Sequence, residues 1–286
     1  MKRIAVVTDS SADISTQQAL DLGVHVVRMP LLINNTEHTE NETVTLEEFT
    51  LKMKQGAIVK TSQPAIGKLT ALWDQLLMDY DELIYVPLSS KLSGSYQSAF
   101  LASQEYDGKV IVIDAHFVCA PMQYLLKEIH TMIEMGMNSE DIKNFVENNM
   151  SMHAVLIPED LVYLKRGGRI SAAAAALGNM LKIVPMLSVE DGALDVFDKV
   201  RTTKKAYKMA YDFITNVDHP EDYYYLVLYG GTESEASKGL YQQLCETIDP
   251  KDIYYGPITP VILAHTGPGT IGIGHVKKLK AVIKNM

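Results

Sequence analysis

The chain has 286 residues, a length that favours two domains with a crevice between them over one large core. Its 26 Lys and Arg stand against 35 Asp and Glu, a formal net charge of −9 with no basic block, which argues against nucleic acid or an anionic membrane as the main partner and leaves only transient membrane contact. Cys119 and Cys245 lie in apolar, helix-like stretches and read as reduced core thiols, no signal-like segment follows Met1, and no apolar run nears the ~20 residues of a membrane helix, so the chain is expected to be soluble and cytoplasmic.

In chain order, short apolar runs bounded by turn residues predict strands at Ile4 to Thr8, Val24 to Ile33, Leu83 to Leu88 and Val110 to Asp114. Helices are expected between and after them. One opens at Thr45 with a capping box completed by Glu48, and the next begins near Ser62-Gln63-Pro64 with proline in its first turn. Others cover Gly94 to Tyr106, Cys119 to Met135 and Ser139 to Asn149. Beyond Met152 come a strand at Ala154 to Ile157, a helix from Pro158 to the Gly167-Gly168 break, and an alanine-rich helix. The runs Ile183 to Val189 and Leu194 to Val200, joined through Asp191-Gly192, predict a hairpin. Helices near Lys204 to Asn216 and Glu235 to Thr247 alternate with strands at Tyr224 to Tyr229, Asp252 to Tyr255 and Thr259 to Ala264. The expected architecture is α/β in two domains: a parallel sheet flanked by helices in residues 1–150, and a second α/β unit with mixed or antiparallel pairing in 151–286.

The stretch His265-Thr266-Gly267-Pro268-Gly269-Thr270-Ile271-Gly272 contains G-x-G-x-x-G, yet it is not read as a dinucleotide site. That site needs a second strand and an acidic residue about twenty positions on, whereas 14 residues follow Gly272 and none of them is Asp or Glu. What remains is a histidine at an expected strand end, followed by a turn in which backbone N–H groups can approach a ligand. Three further hydroxyl-rich loops, Thr8-Asp9-Ser10-Ser11-Ala12-Asp13, Thr61-Ser62-Gln63-Pro64 and Ser89 to Ser95, lie at strand ends, where ligands of open α/β sheets collect. Simple helix capping by Asp9, Ser62 and Ser93 accounts for the same residues, and both readings stay open. Ser93 and His265 also suggest a hydrolase or transferase of a small acyl substrate, although no G-x-S-x-G elbow accompanies them. Phosphoryl transfer by this chain itself is not expected, because it has no phosphate loop and no Asp cluster with metal-like spacing. Leu164-Lys165-Arg166-Gly167-Gly168-Arg169-Ile170 gathers three cations around two glycines, and a helix C-cap explains Lys165 and Arg166 better than Arg169.

Five segments in this order, the Thr8 and Thr61 stretches, Leu92-Ser93-Gly94-Ser95-Tyr96-Gln97-Ser98-Ala99, the Leu164 stretch and the His265 turn, resemble the DegV family over residues 4–272. The resemblance implies a two-domain carrier that buries one long-chain fatty acid in a tunnel between its domains, and in some members a substrate-binding subunit of a bacterial fatty acid kinase. It further implies that Thr61, Ser62, Ser93, Gly94, His265 and Thr266 hold the carboxylate, and that Lys165, Arg166 and Arg169 face the ATP-dependent kinase subunit. No cofactor or metal is then expected on this chain, since ATP and its metals belong to the partner. Two departures concern pocket details: Ala115 follows Asp114 where a hydroxyl residue is usual, and Val184-Pro185 replaces Lys-Pro. Burying about fifteen methylenes at ~0.8 kcal/mol each is worth up to ~12 kcal/mol before association costs, so the tail would carry the affinity. A lipid sensor with no phosphorylation step is a third reading.

Overall fold

The computed structural model describes residues 2–177 and 182–284. Its strands in the first half are β1 (Ile4–Asp9), β2 (Val24–Val27), β3 (Pro30–Ile33), β4 (Thr36–Thr39), β5 (Val59–Thr61), β6 (Glu82–Val86) and β7 (Val110–Val112). Those in the second half are β8 (Met152–Ile157), β9 (Val184–Glu190), β10 (Ala193–Val200), β11 (Tyr223–Tyr229), β12 (Ile253–Pro257) and β13 (Ile271–Lys277). A four-stranded sheet of order β2-β1-β6-β7 is parallel throughout. A six-stranded sheet of order β10-β9-β8-β13-β11-β12 is antiparallel except for its β11–β12 pair, and β4-β3-β5 form a small antiparallel sheet. The protein is thus a two-domain α/β fold, one sheet parallel and the other mixed.

Why the parallel strands read as unbroken apolar runs follows from their two covered faces. Ala5, Val7, Leu83 and Tyr85 pack with Leu69 and Trp73 on one side, while Val6, Ile84 and Val86 face the other. That second face belongs to a cluster that continues through Phe49, Phe117 and Leu125 to Ala154, Leu156, Leu226 and Leu228 of the mixed sheet. The apolar space between the sheets is therefore shared by both halves of the chain. The outer face of the mixed sheet has its own core, in which Val155, Tyr225, Val227 and Ile273 meet Ala206, Ala210 and Leu244.

The predicted hairpin forms, with Asp191 and Gly192 both at positive φ in its turn, and its tip reaches the first half where Ser89 Oγ donates to Gly192 O at 2.9 Å. The Thr45–Glu48 capping box also forms. Two expected strands are corrected. Val24 to Ile33 is divided between two sheets, because Pro30 has no N–H to continue the parallel ladder and Met29 N donates instead to Ser10 Oγ at 3.0 Å. Thr259 to Ala264 is not a strand but the start of the helix Pro260–Thr266, whose apolar residues are buried on several sides, a setting that gives helix and strand the same sequence pattern. Strands β4, β5 and β13 had no sequence counterpart. In β13 one of the two glycines that resemble a loop is a packing requirement: a Cβ on Gly274 would lie 2.7 Å from both Ala154 Cβ and His153 O. At Gly272 the nearest atoms to such a Cβ, on Leu156 and Leu228, are 3.6 and 3.7 Å away. Among the described residues no helix is long and apolar enough to cross a membrane.

Candidate functional site

The site is organised around the helix Pro260–Thr266. Its first turn is held by the other half of the chain, where Asp13 Oδ1 accepts from Thr259 N at 2.9 Å and Glu40 Oε2 accepts from Thr259 Oγ1 at 2.8 Å. Carboxyl groups at a helix N-terminus meet its positive end, and Arg28 pairs with Glu40 at 3.1 Å. Burial is the dominant influence on both acids: it pushes Asp13 up to about 8 and raises Glu40 as well. At the far end of the same short helix stand His265 and Thr266, after which Gly267 turns the chain with φ 85°.

His265 Nε2 lies 2.7 Å from Thr61 Oγ1 at the end of β5. Burial, reinforced by the nearby Arg169 charge, lowers His265 to about 4, so the imidazole is neutral near pH 7. His265 Nδ1 and Thr266 Oγ1 are buried and have no hydrogen-bond partner. Thr61, Ser62, Ser93, Arg169, His265 and Thr266 line one recess together with Gln63 and several leucines. Ser93 also performs the capping role: its Oγ accepts from Ser95 N at 3.2 Å and lies 2.8 Å from Ser95 Oγ. Gly94 is the N-cap of the helix Ser95–Ser103, beside the end of the Gln63 side chain. Among the described residues no hydrogen bond joins Ser93 to His265.

The basic segment divides. Arg169 Nε donates to Leu92 O at 3.3 Å and Arg169 lines the recess beside the expected head-group residues. Arg166 instead lies over the Tyr163 ring, 6.0 Å from its centroid, in an outer groove with Ile58, Val59 and Lys60. Lys165 is half-buried in the same helical turn. Thr61, Arg169 and His265 line both the recess and the groove and so form the wall between them.

A second cavity, of about 60 Å³, is lined on the sheet side by Met152, Ala154 and Leu156 of β8 and Leu226 and Leu228 of β11. Val118, Cys119 and Pro121 close it from the other half, its exposed lining is wholly apolar, and it meets the polar recess at Leu92, Leu194, Ile262 and Thr266. These wall residues carried no motif. Their one signal was alternation along β8 and β11, which apolar residues on the opposite face obscured. A larger surface recess beside β9, lined by Glu159, Tyr207 and Tyr229, shares no lining residue with either space. The Thr8–Asp13 loop turns out to support the site rather than line it. Asp9 accepts from Ser11 N and from Leu88 N at 2.9 Å each, which ties β1 to the loop that carries Ser93. Hydroxyls, a neutral histidine and an arginine above an apolar cavity can hold an anionic head with a long apolar tail.

The family model described as an uncharacterised protein of the DegV family matches residues 3–278. The chain belongs to the DegV family. A DegV domain-containing protein of Staphylococcus aureus is 30% identical over 281 residues, covering 97% of this chain and 100% of its own length. The solved structure of a DegV family protein from Thermus thermophilus, described by its fatty acid binding, superposes with a TM-score of 0.86 at 28% identity, covering 97% of this chain and 100% of that one. A DegV of Bacillus subtilis, described as a fatty acid binding protein, gives 0.85 at 28% identity with the same coverage. In this DegV protein the segments that carry the resemblance, apart from the Thr8 loop, converge on the recess.

Proposed function

We propose that this protein is a non-catalytic carrier that binds one long-chain fatty acid and presents its carboxylate to a separate ATP-dependent kinase subunit for conversion to an acyl phosphate. The observation that carries the proposal is the junction of a wholly apolar cavity with a recess of hydroxyls, neutral His265 and Arg169. The apolar lining of the first matches the chemistry of a methylene chain, which would have to part the facing side chains further to enter at full length, and a carboxylate leaving water needs the donors of the second. The fatty acid binding described for the Thermus and Bacillus relatives supports the same reading. Thr61, Ser62, Ser93 and Thr266, with the Gly94 backbone, hold the head group, and His265 stands behind Thr61. Arg169 is placed to join them.

The kinase step is supported by the outer groove, which carries Lys60 and Arg166 on the far side of the Thr61–His265 wall. A phosphoryl donor brought there by a partner would meet positive charge next to the carboxylate. Boundaries near residue 150, with the ligand between the two parts, belong to the same proposal. Native mass spectrometry of purified protein should show one added mass of fatty-acid size per chain, and folded protein that neither carries nor takes up oleate would refute the carrier. Reconstitution with a fatty acid kinase tests the second step: Arg166→Glu should leave oleate affinity unchanged and reduce phosphorylation, by like-charge repulsion at the docking face.

A further inference from the structure

We infer that Gly167 decides which nitrogen of His265 carries the proton, and that His265 is thereby a positioning residue acting through Thr61, whose hydroxyl is the donor to the bound head group. Only the last step rests on the carrier reading.

The argument is geometric. A Cβ added at Gly167 would fall far inside contact distance of His265 Nδ1, and 3.2 and 3.4 Å from the flanking ring carbons Cε1 and Cγ. Nδ1 is the nearest atom and the two carbons are almost equidistant, while a point above the ring would be nearer to both carbons. The point therefore lies in the ring plane, on the axis along which Nδ1 projects either its lone pair or its N–H bond. What occupies that axis is the Cα–H of Gly167. A proton on Nδ1 would run into this hydrogen, whereas a bare lone pair can accept it as a weak C–H contact. No hydrogen-bond partner reaches Nδ1 to favour the other arrangement.

A neutral imidazole has one N–H, so the proton sits on Nε2 and is donated to Thr61 Oγ1 across 2.7 Å. Turning the ring over would put a carbon against Thr61 and lose that bond. With its oxygen accepting from His265, Thr61 keeps its own O–H to give away, and a carboxylate in the recess is the acceptor the site provides. The same arrangement leaves His265 with no nitrogen able to take a proton from Ser93: Nδ1 is covered and Nε2 is already protonated. The histidine holds a donor in place and is not a base.

The direct test is long-range proton–nitrogen correlation of the imidazole rings in ligand-stripped protein labelled with nitrogen-15 histidine, at pH 7, with the His265 signals assigned by their loss in His265→Gln. The pattern of the Nε2–H tautomer is expected. The Nδ1–H pattern, or an averaged mixture of the two, overturns the inference whether or not the protein binds fatty acid. A protein that gives the expected pattern and binds no fatty acid refutes the carrier while leaving the tautomer standing. Gly167→Ala, which keeps a helical residue, should displace the ring, alter this pattern and weaken oleate binding about tenfold while sparing oleyl alcohol. An unchanged ring spectrum and unchanged affinity in that variant would remove Gly167 from the role.

Discussion

The polar recess and the apolar cavity meet at four residues yet are built differently. The recess is gathered from segments far apart in sequence: the end of β5, the loop after β6, the residues after Gly168 and the last turn of the helix Pro260–Thr266. Each segment supplies one or two polar atoms, and some of those are left without partners. The cavity is instead a stretch of ordinary core in which strand side chains face one another without filling the gap. On the carrier reading the contrast separates two tasks: a wall of strands would supply affinity in bulk, while a few placed donors would decide where the charged end rests.

The strongest way to break this division is to close the throat. Leu194 lines both spaces from the partly exposed β10, so Leu194→Arg puts a long charged side chain at their junction without burying it in the main core. Oleate affinity should fall roughly 100-fold, the worth of three or four methylenes at ~0.8 kcal/mol each. A melting temperature within a few degrees of wild type would show that the loss is local, and undiminished affinity would mean that the tail lies elsewhere. Thr61→Val tests the other side. It removes one hydrogen bond to a charged group, worth about 1.5–3 kcal/mol, and should weaken oleate about tenfold to 100-fold in titration while leaving oleyl alcohol nearly unchanged. Equal losses for both ligands would show that the recess and the cavity do not divide the work.

A smaller effect should appear in stability against pH. Asp13 is raised to about 8 by burial, so its protonated form favours the folded state: that stability is complete below the ordinary carboxyl pKa and is lost as pH climbs from about 4 to about 8. His265 is lowered to about 4 and works in the opposite direction, with stability present above its ordinary pKa of about 6.5 and lost as pH falls towards 4. Asp13→Asn keeps an acceptor for Thr259 N and removes only the first dependence. Its melting temperature should pull ahead of wild type progressively between pH 5 and pH 8, and a constant gap across that range would mean Asp13 is ionised throughout.

Much of the fold could be read from the chain because the decisive signals are local. Alternating runs and helices, the Thr45–Glu48 box and the Asp191-Gly192 turn need no knowledge of neighbours. The helix bearing His265 was misread because a short segment buried on several sides has no exposed face, and without such a face the period of 3.6 cannot be told from the period of 2. Strand β13 was missed because Gly272 and Gly274 look like flexibility, whereas Gly274 answers a close approach by β8 that appears only on folding. For the site, Thr61, Ser62, Ser93, His265 and Thr266 were legible as hydroxyl and histidine residues in motif order. Arg169 was recognised as the cation that a helix cap fails to explain, but its direction depends on the carbonyl of Leu92, a contact 77 positions away in the chain. The cavity wall had no motif, since space between side chains is a property of the pair of sheets.

On the carrier reading the two glycines of β13 would also act like marks on a ruler for the cargo. Gly274 cannot accept a side chain because Ala154 and the backbone of β8 already occupy its place. Gly272, two residues earlier on the same face, lines the apolar cavity and has ordinary contact room for a methyl group. The length of chain that such a carrier accepts would thus be adjustable at one position and locked at its neighbour. Gly272→Ala should shift the co-purified acids towards shorter species in extracted-lipid mass spectra, whereas Gly274→Ala should cost the sheet itself.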